Sequence, residues 1–217
     1  MRTLPALVLT VVIALRTCGA AEIWLLDNTR KIAGHNVVLE GTPRVTEMEG
    51  ARVAVFDGVK DGMFIDSIPF AGAKQYTIEI LFRPSEGGPT EQRFVHAQDA
   101  HGWRALLETR LNGKGGWWLD TFICTNDNGT GVTLVDRERV HPTDRWYWAA
   151  LRFDGTTMAH FVNGKKEIER EARFEPFANG SISLGVRQNK VYWFKGAIRE
   201  VRFHREALPD DKLQRVK

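Results

Sequence analysis

Between Trp146 and Gly164 the chain alternates short apolar runs with two-residue polar breaks. Large apolar and aromatic residues fill Trp146–Phe153, Asp154-Gly155 interrupts them, Met158–Val162 resumes them, and Asn163-Gly164 interrupts again. Asp-Gly and Asn-Gly are turn dipeptides: glycine accepts a positive φ without a Cβ clash, and a short Asx side chain bonds its own backbone. The stretch therefore predicts two strands closed by tight turns. Gln75–Pro84 alternates strictly, with Tyr76, Ile78, Ile80 and Phe82 on one face and Thr77, Glu79, Leu81 and Arg83 on the other. Pro84 then ends the ladder, because it has no N–H to donate. Further strands are predicted at Glu22–Leu26, Val37–Leu39, Arg44–Thr46, Val53–Phe56, Met63–Ile65, Arg93–Ala97 and Arg104–Thr109, then at Trp117–Cys124, Val132–Val135, Ser181–Val186 and Tyr192–Phe203. Asp27–Asn36 reads as a loop. No apolar stripe of helical period appears before a short helical tail over Asp210–Val216. Many short strands, each bounded by a turn signal, predict an all-β protein, a sandwich of two antiparallel sheets.

The first 21 residues break this pattern. Arg2 precedes an apolar run over Ala6–Leu15 and the small residues Cys18-Gly19-Ala20-Ala21, the arrangement of a secretory signal peptide. Residues 1–21 are thus expected to be a leader and 22–217 a single domain, secreted or periplasmic, with Cys18 as an alternative lipid-anchor position. No other apolar run approaches the roughly 18 residues of a membrane helix. Of 30 basic and 27 acidic residues, the leader holds Arg2 and Arg16, which leaves 28 against 27. That balance makes no case for a nucleic-acid partner. Without the leader Cys124 is the only cysteine, so stability must come from the core, and Cys124 itself reads as a small buried hydrophobe.

Six short pieces then occur in a familiar order. They are Phe56-Asp57-Gly58 with Asp61; Tyr76–Glu79 with Phe82-Arg83-Pro84; Trp146 through Gly155; Phe161–Gly164; Ser183-Leu184-Gly185; and Phe194–Ile198 with Glu200–Phe203 and Arg205–Leu208. Over roughly Val53–Leu213 the chain resembles the laminin-G-like, concanavalin A-like lectin/glucanase superfamily. The resemblance implies a jelly roll whose one sheet, usually concave, carries a ligand groove. Its members bind carbohydrates, bind proteins or cleave polysaccharides, so fold alone does not fix function. A structural calcium ion is the one cofactor suggested, near Asp57 and Asp61. Many relatives have an acidic residue where this chain has Arg199, whose guanidinium would oppose a cation there. Asn126-Asp127-Asn128 offers further oxygens without the spacing of an EF-hand loop.

Three functions follow. Seven tryptophans give flat apolar faces for sugar C–H surfaces. In the first function, a non-catalytic lectin-like module, Trp103, Trp117 and Trp193 stack on a polysaccharide or glycoconjugate, while Arg104 and Arg187 bond hydroxyl or acidic groups. In each adjacent aromatic pair, one ring must face each side of a sheet. The second function is a lyase acting on a uronate polymer, for which Arg93, His96, Gln98, Arg104, Arg187, Gln188, Tyr192 and Lys195 supply the residue types needed to neutralise a carboxylate and move a proton. A retaining hydrolase would need two carboxyls about 5 Å apart on one strand face. No such run occurs, and Glu167, Glu169 and Glu171 read as a solvated face. The third is a protein-interaction or adhesion module on a secreted or surface partner. His96, His101 and His204 are not spaced as a metal set.

Overall fold

The computed structural model describes residues 20–126 and 128–216. All but the last two residues of the predicted leader, and Cys18 with them, lie outside the described residues. The chain folds into two antiparallel sheets. In the first the order is β15 (Lys165–Glu171), β14 (Thr157–Val162), β13 (Tyr147–Phe153), β7 (Tyr76–Pro84), β17 (Lys195–His204), β5 (Ala51–Asp57) and β4 (Arg44–Met48), with β1 (Glu22–Leu25) pairing the second half of β17. In the second it is β11 (Val132–Val135), β10 (Gly116–Cys124), β9 (Arg104–Leu111), β8 (Glu91–Asp99), β16 (Gly180–Leu184), β6 (Gly62–Ile65), β3 (His35–Glu40) and β2 (Lys31–Ile32), with β12 (His141–Pro142) against β10. No helix among the described residues is long and apolar enough to cross a membrane.

Alternation explains the core. Tyr76, Ile78, Ile80 and Phe82 of β7 are fully buried and meet Phe94, Leu107, Trp117 and Leu119 of the second sheet in one continuous cluster. Phe82 and Phe94 stack across the layers with centroids 4.3 Å apart. On the opposite face of β7, Thr77 and Glu79 are buried as well, under the C-terminal tail. Leu208 and Leu213 pack on Ala150, Ala159 and Phe161. The Leu208 N–H donates to Thr77 Oγ1 at 2.9 Å, and the Gln214 N–H to Glu79 Oε1 at 2.7 Å. Because strand side chains take these tail N–H groups, the predicted helix shrinks to one 3₁₀ turn, Asp210–Lys212, and the chain runs extended after it.

Three other expectations change. Lys31–Ile32 pairs with β3 inside the segment expected to be a loop. Lys165–Glu171 is an edge strand: Glu169 and Glu171 face solvent, but Glu167 turns inward, 2.7 Å from His141 Nε2 and 3.5 Å from His160 Nε2. Tyr192–Phe194 is loop, because Tyr192 has a φ of 62° that extended backbone cannot take.

Gly185, where β16 turns into this loop, has a φ of 79°, and a Cβ there would lie 2.2 Å from Phe56 Cδ1. Gly185→Ala is expected to destabilise the protein by about 2–4 kcal/mol, from left-handed strain plus overpacking. A denaturant midpoint within about 0.5 kcal/mol of the parent would contradict it.

Candidate functional site

The outer face of the second sheet carries the chemistry. On β9, Ala105, Leu107 and Leu111 point into the core, so Arg104, Leu106, Glu108 and Arg110 point outward. Register sets Glu108 opposite both Arg93 and Asp120, and Leu106 opposite both His96 and Phe122. A register shift between Arg93 and Val95 puts Arg93 and His96, three residues apart, on this same face. The segment 185–194 then folds over β8. Gly185 N–H donates to Phe94 O at 3.2 Å, Gln188 N–H to His96 Nδ1 at 3.0 Å, and Arg93 N–H to Tyr192 O at 2.9 Å. Lys190 and Tyr192 hold φ values of 59° and 62° in this loop. Left-handed backbone at a bulky aromatic costs on the order of 1–3 kcal/mol and is held by its surroundings, here by the hydrogen bond to β8.

The result is a depression of about 180 Å³ walled by Arg93, Arg104, Arg110, Arg187, Glu108 and Asp120, with Phe122 among its apolar lining. Arg93 pairs with Glu108 at 3.0 Å and Glu91 at 3.1 Å. Arg110 pairs with Asp120 and Glu91. Among the described residues no carboxylate lies within 4.0 Å of the guanidinium of Arg104 or Arg187. Arg104 sits 5.3 Å over the Phe122 ring, and Arg93 sits 3.8 Å over the ring of Tyr192, which is 40% exposed.

Charge is crowded here. Burial, then Arg187, Arg104 and Arg93, pushes His96 down to about 3. Burial raises Glu108 to about 7, with Arg93 opposing and Asp120 adding. Burial also lifts Asp120 above the usual carboxylate range, against the pull of Arg110. Arg187 is lowered by its own burial and by Arg104 and Arg93. His96 is fully buried. Since its Nδ1 accepts a backbone N–H, its single proton sits on Nε2.

Of the five residues expected from sequence to bind sugar, Arg104 and Arg187 line this depression together. Trp117 cannot bind: it is fully buried, edge-on to Phe82 and Tyr147 with centroids 5.2 Å from each. Its neighbour Trp118 has the outward parity and donates from Nε1 to Arg137 O at 2.6 Å. Trp103 is half-buried by the β8–β9 turn, 5.1 Å from the His101 ring, and Trp193 is half-buried in the 185–194 loop; neither lines the depression. Sequence reasoning passed over Glu108, Arg110 and Asp120. For Glu108 and Arg110 the signal was present, as charges alternating with Ala105, Leu107 and Leu111 along β9; Asp120 joins them from β10 through cross-strand register. A larger cavity of about 840 Å³ opens at the rim between residues 123–126, 130–132 and 171–175; Arg173 lines it, and none of the four arginines of the depression does.

The suggested calcium ligands serve the backbone. Asp57 Oδ1 accepts from Val59, Lys60 and Asp61 N–H at 2.8, 2.9 and 3.1 Å, and Asp61 Oδ1 from Thr42 N–H at 2.8 Å. Burial pushes the Asp57 carboxyl up, but these donors outweigh it and hold it below its usual range. Arg199 is the bulged residue of β17 and is exposed. Asp127 lies outside the described residues.

A laminin-G model described as the concanavalin A-like lectin/glucanases superfamily matches residues 57–214. The chain belongs to this superfamily. A search of curated protein sequences finds no match. Among solved structures, domain 4 of AbnA, an extracellular GH43 arabinanase of Geobacillus stearothermophilus solved with arabinotriose, is similar at 18% identity with a TM-score of 0.59, covering 88% of this chain and 94% of that one. The binding domain of Paraclostridial Mosquitocidal Protein 1 is similar at 14% identity and 0.65, covering 88% and 50%. The receptor-binding domain of the botulinum neurotoxin C/D mosaic serotype is similar at 13% and 0.63, covering 88% and 49%. The chain thus spans about half the length of the toxin domains it matches. At such identities the likeness is one of fold, and this superfamily chain shares a lectin-like jelly roll with binding domains.

Proposed function

We propose that this is a secreted, non-catalytic carbohydrate-binding module whose contact surface is the outer face of the second sheet. The observation that carries the reading is the convergence, from β9 and from the 185–194 loop, of two arginines that have no carboxylate partner among the described residues, with the exposed ring of Tyr192 beside them under Arg93. A sugar offers a C–H face to Tyr192 and Phe122 and its oxygens to Arg104 and Arg187. At about 180 Å³ the depression is smaller than the about 300–1,000 Å³ of a small-molecule pocket, so it seats one sugar unit while the polymer runs over the open sheet. Arabinotriose in the arabinanase domain supports a glycan partner on this fold.

Arg104→Ala, Arg187→Ala and Tyr192→Ala are each expected to weaken polysaccharide binding by roughly tenfold while leaving the thermal transition in place. Calorimetric titration checks this, and unchanged affinity in all three would remove the site.

The lyase reading has one observation in its favour: Arg93, His96, Gln188 and Tyr192 gather on this face. Yet His96 has no accessible surface under Gln188, so it does not reach a substrate proton. Unsaturated uronate appearing in the ultraviolet on incubation with alginate or polygalacturonate would replace the binding reading with catalysis.

A further inference from the structure

Among the described residues, the hydrogen-bonding capacity left open around the depression is mostly of one kind, donors. Arg104 and Arg187 have donors and no carboxylate partner among the described residues. Arg93 Nε is buried without an acceptor, although its other nitrogens pair with Glu91 and Glu108. His96 Nε2, which carries the ring proton, is also buried without an acceptor. Four of the six carboxylate oxygens on the same face are engaged: both of Glu91, one of Glu108 and one of Asp120 are held by Arg93 and Arg110. A neutral sugar hydroxyl brings a donor with every acceptor, and that donor would find few partners here. A carboxylate or sulfate brings acceptors alone. Arg93 Nε and His96 Nε2 lie below the accessible surface, so what the depression presents to a ligand is the guanidinium donors of Arg104 and Arg187, which select for acceptors.

We infer that the depression takes an anionic substituent, the carboxylate of a uronate or the sulfate ester of an acidic polysaccharide, held between Arg104 and Arg187. This rests on the binding-module reading and narrows it from carbohydrate to acidic carbohydrate. The anion supplies acceptors to two guanidinium groups that have no carboxylate partner among the described residues.

The test is calorimetric titration of the full chain with four polymers: polygalacturonate, the same polymer fully methyl-esterified, dextran sulfate and dextran. Each esterified or unsulfated partner keeps the sugar and removes the charge. Polygalacturonate is expected to bind at least about tenfold tighter than its ester, or dextran sulfate than dextran, and the pair showing the larger ratio identifies carboxylate or sulfate as the group. Arg104→Gln and Arg187→Gln, which break no ion pair among the described residues, should each abolish that ratio, while Lys165→Gln, exposed on β15, should leave it intact. Equal binding of charged and neutral partners, weakened by the arginine variants, would overturn the anion and leave the module standing. Charge-selective binding that persists in both arginine variants would overturn the assignment to this depression. Absence of binding to these polymers, with binding instead to neutral glycans lost in Tyr192→Ala, would likewise retire the anion; binding to no glycan at all would retire both readings.

Discussion

Trp117→Ala is expected to cost about 3–5 kcal/mol of stability, the range for deleting a large aromatic from a packed core. Trp117 is fully buried and joins both layers: its ring is edge-on to Phe82 of the first sheet at 5.2 Å and to Tyr147 at 5.2 Å, and 4.9 Å from the His141 ring. The strands that flank the space cannot easily move in to fill it, because β9 is laddered to both β8 and β10 and β7 to both β13 and β17. For a domain of this size the loss corresponds to a fall in midpoint of about 6–20 °C. Trp118→Ala, next in sequence, removes a half-exposed ring with a single hydrogen bond to Arg137 O and is expected to cost no more than about 1 kcal/mol. Thermal melts of the two variants side by side decide the matter. Equal losses would mean that the faces of β10 are assigned wrongly.

Stability between about pH 8 and pH 5 should depend on two opposed groups, and single substitutions should expose each of them. His96 is held at about 3 against an ordinary 6.5. Its neutral form contributes stability that is present above the unfolded value and lost as pH falls towards the folded one. By about pH 5 that loss is about 2 kcal/mol, at 1.36 kcal/mol per pH unit. Glu108 is held at about 7 against an ordinary 4.5. Its contribution is full below the unfolded value and lost as pH rises through the folded one, so it gains about 2–3 kcal/mol over the same descent. In the parent the two nearly cancel. Glu108→Gln should therefore lose about 2–3 kcal/mol more than the parent on going from pH 8 to pH 5, and His96→Asn, whose amide oxygen can still accept the Gln188 N–H, about 2 kcal/mol less. Urea midpoints at the two pH values measure both differences. A Glu108→Gln curve parallel to the parent's would show that this carboxyl is not buried as described.

Most strands were legible because each carries its own period. The alternation in Gln75–Pro84 predicted both faces of β7, and Asn163-Gly164 predicted a turn that forms with φ values of 49° and 70°. The segments misread had weak local signals. Lys31–Ile32 pairs for only two residues, and Lys165–Glu171 is a charged edge strand that looks like any solvated surface. The tail lost its helix because Thr77 and Glu79, more than 120 residues earlier, accept its N–H groups, a competition invisible to any local window.

The sequence by itself determined that the chain forms short antiparallel strands in a sandwich, since a two-residue period and turn dipeptides act within a few residues of each other. It also named Arg104 and Arg187. Only the tertiary structure decided which ring of Trp117-Trp118 is core, because parity within a strand says that the two differ and not which one meets the opposing sheet. The packing also decided that Arg93, Arg104, Arg187 and Glu108 share one depression. Their approach depends on cross-strand register, on a one-residue shift in β8 and on a loop folding back over it, and each of these is set by contacts between residues far apart in the chain.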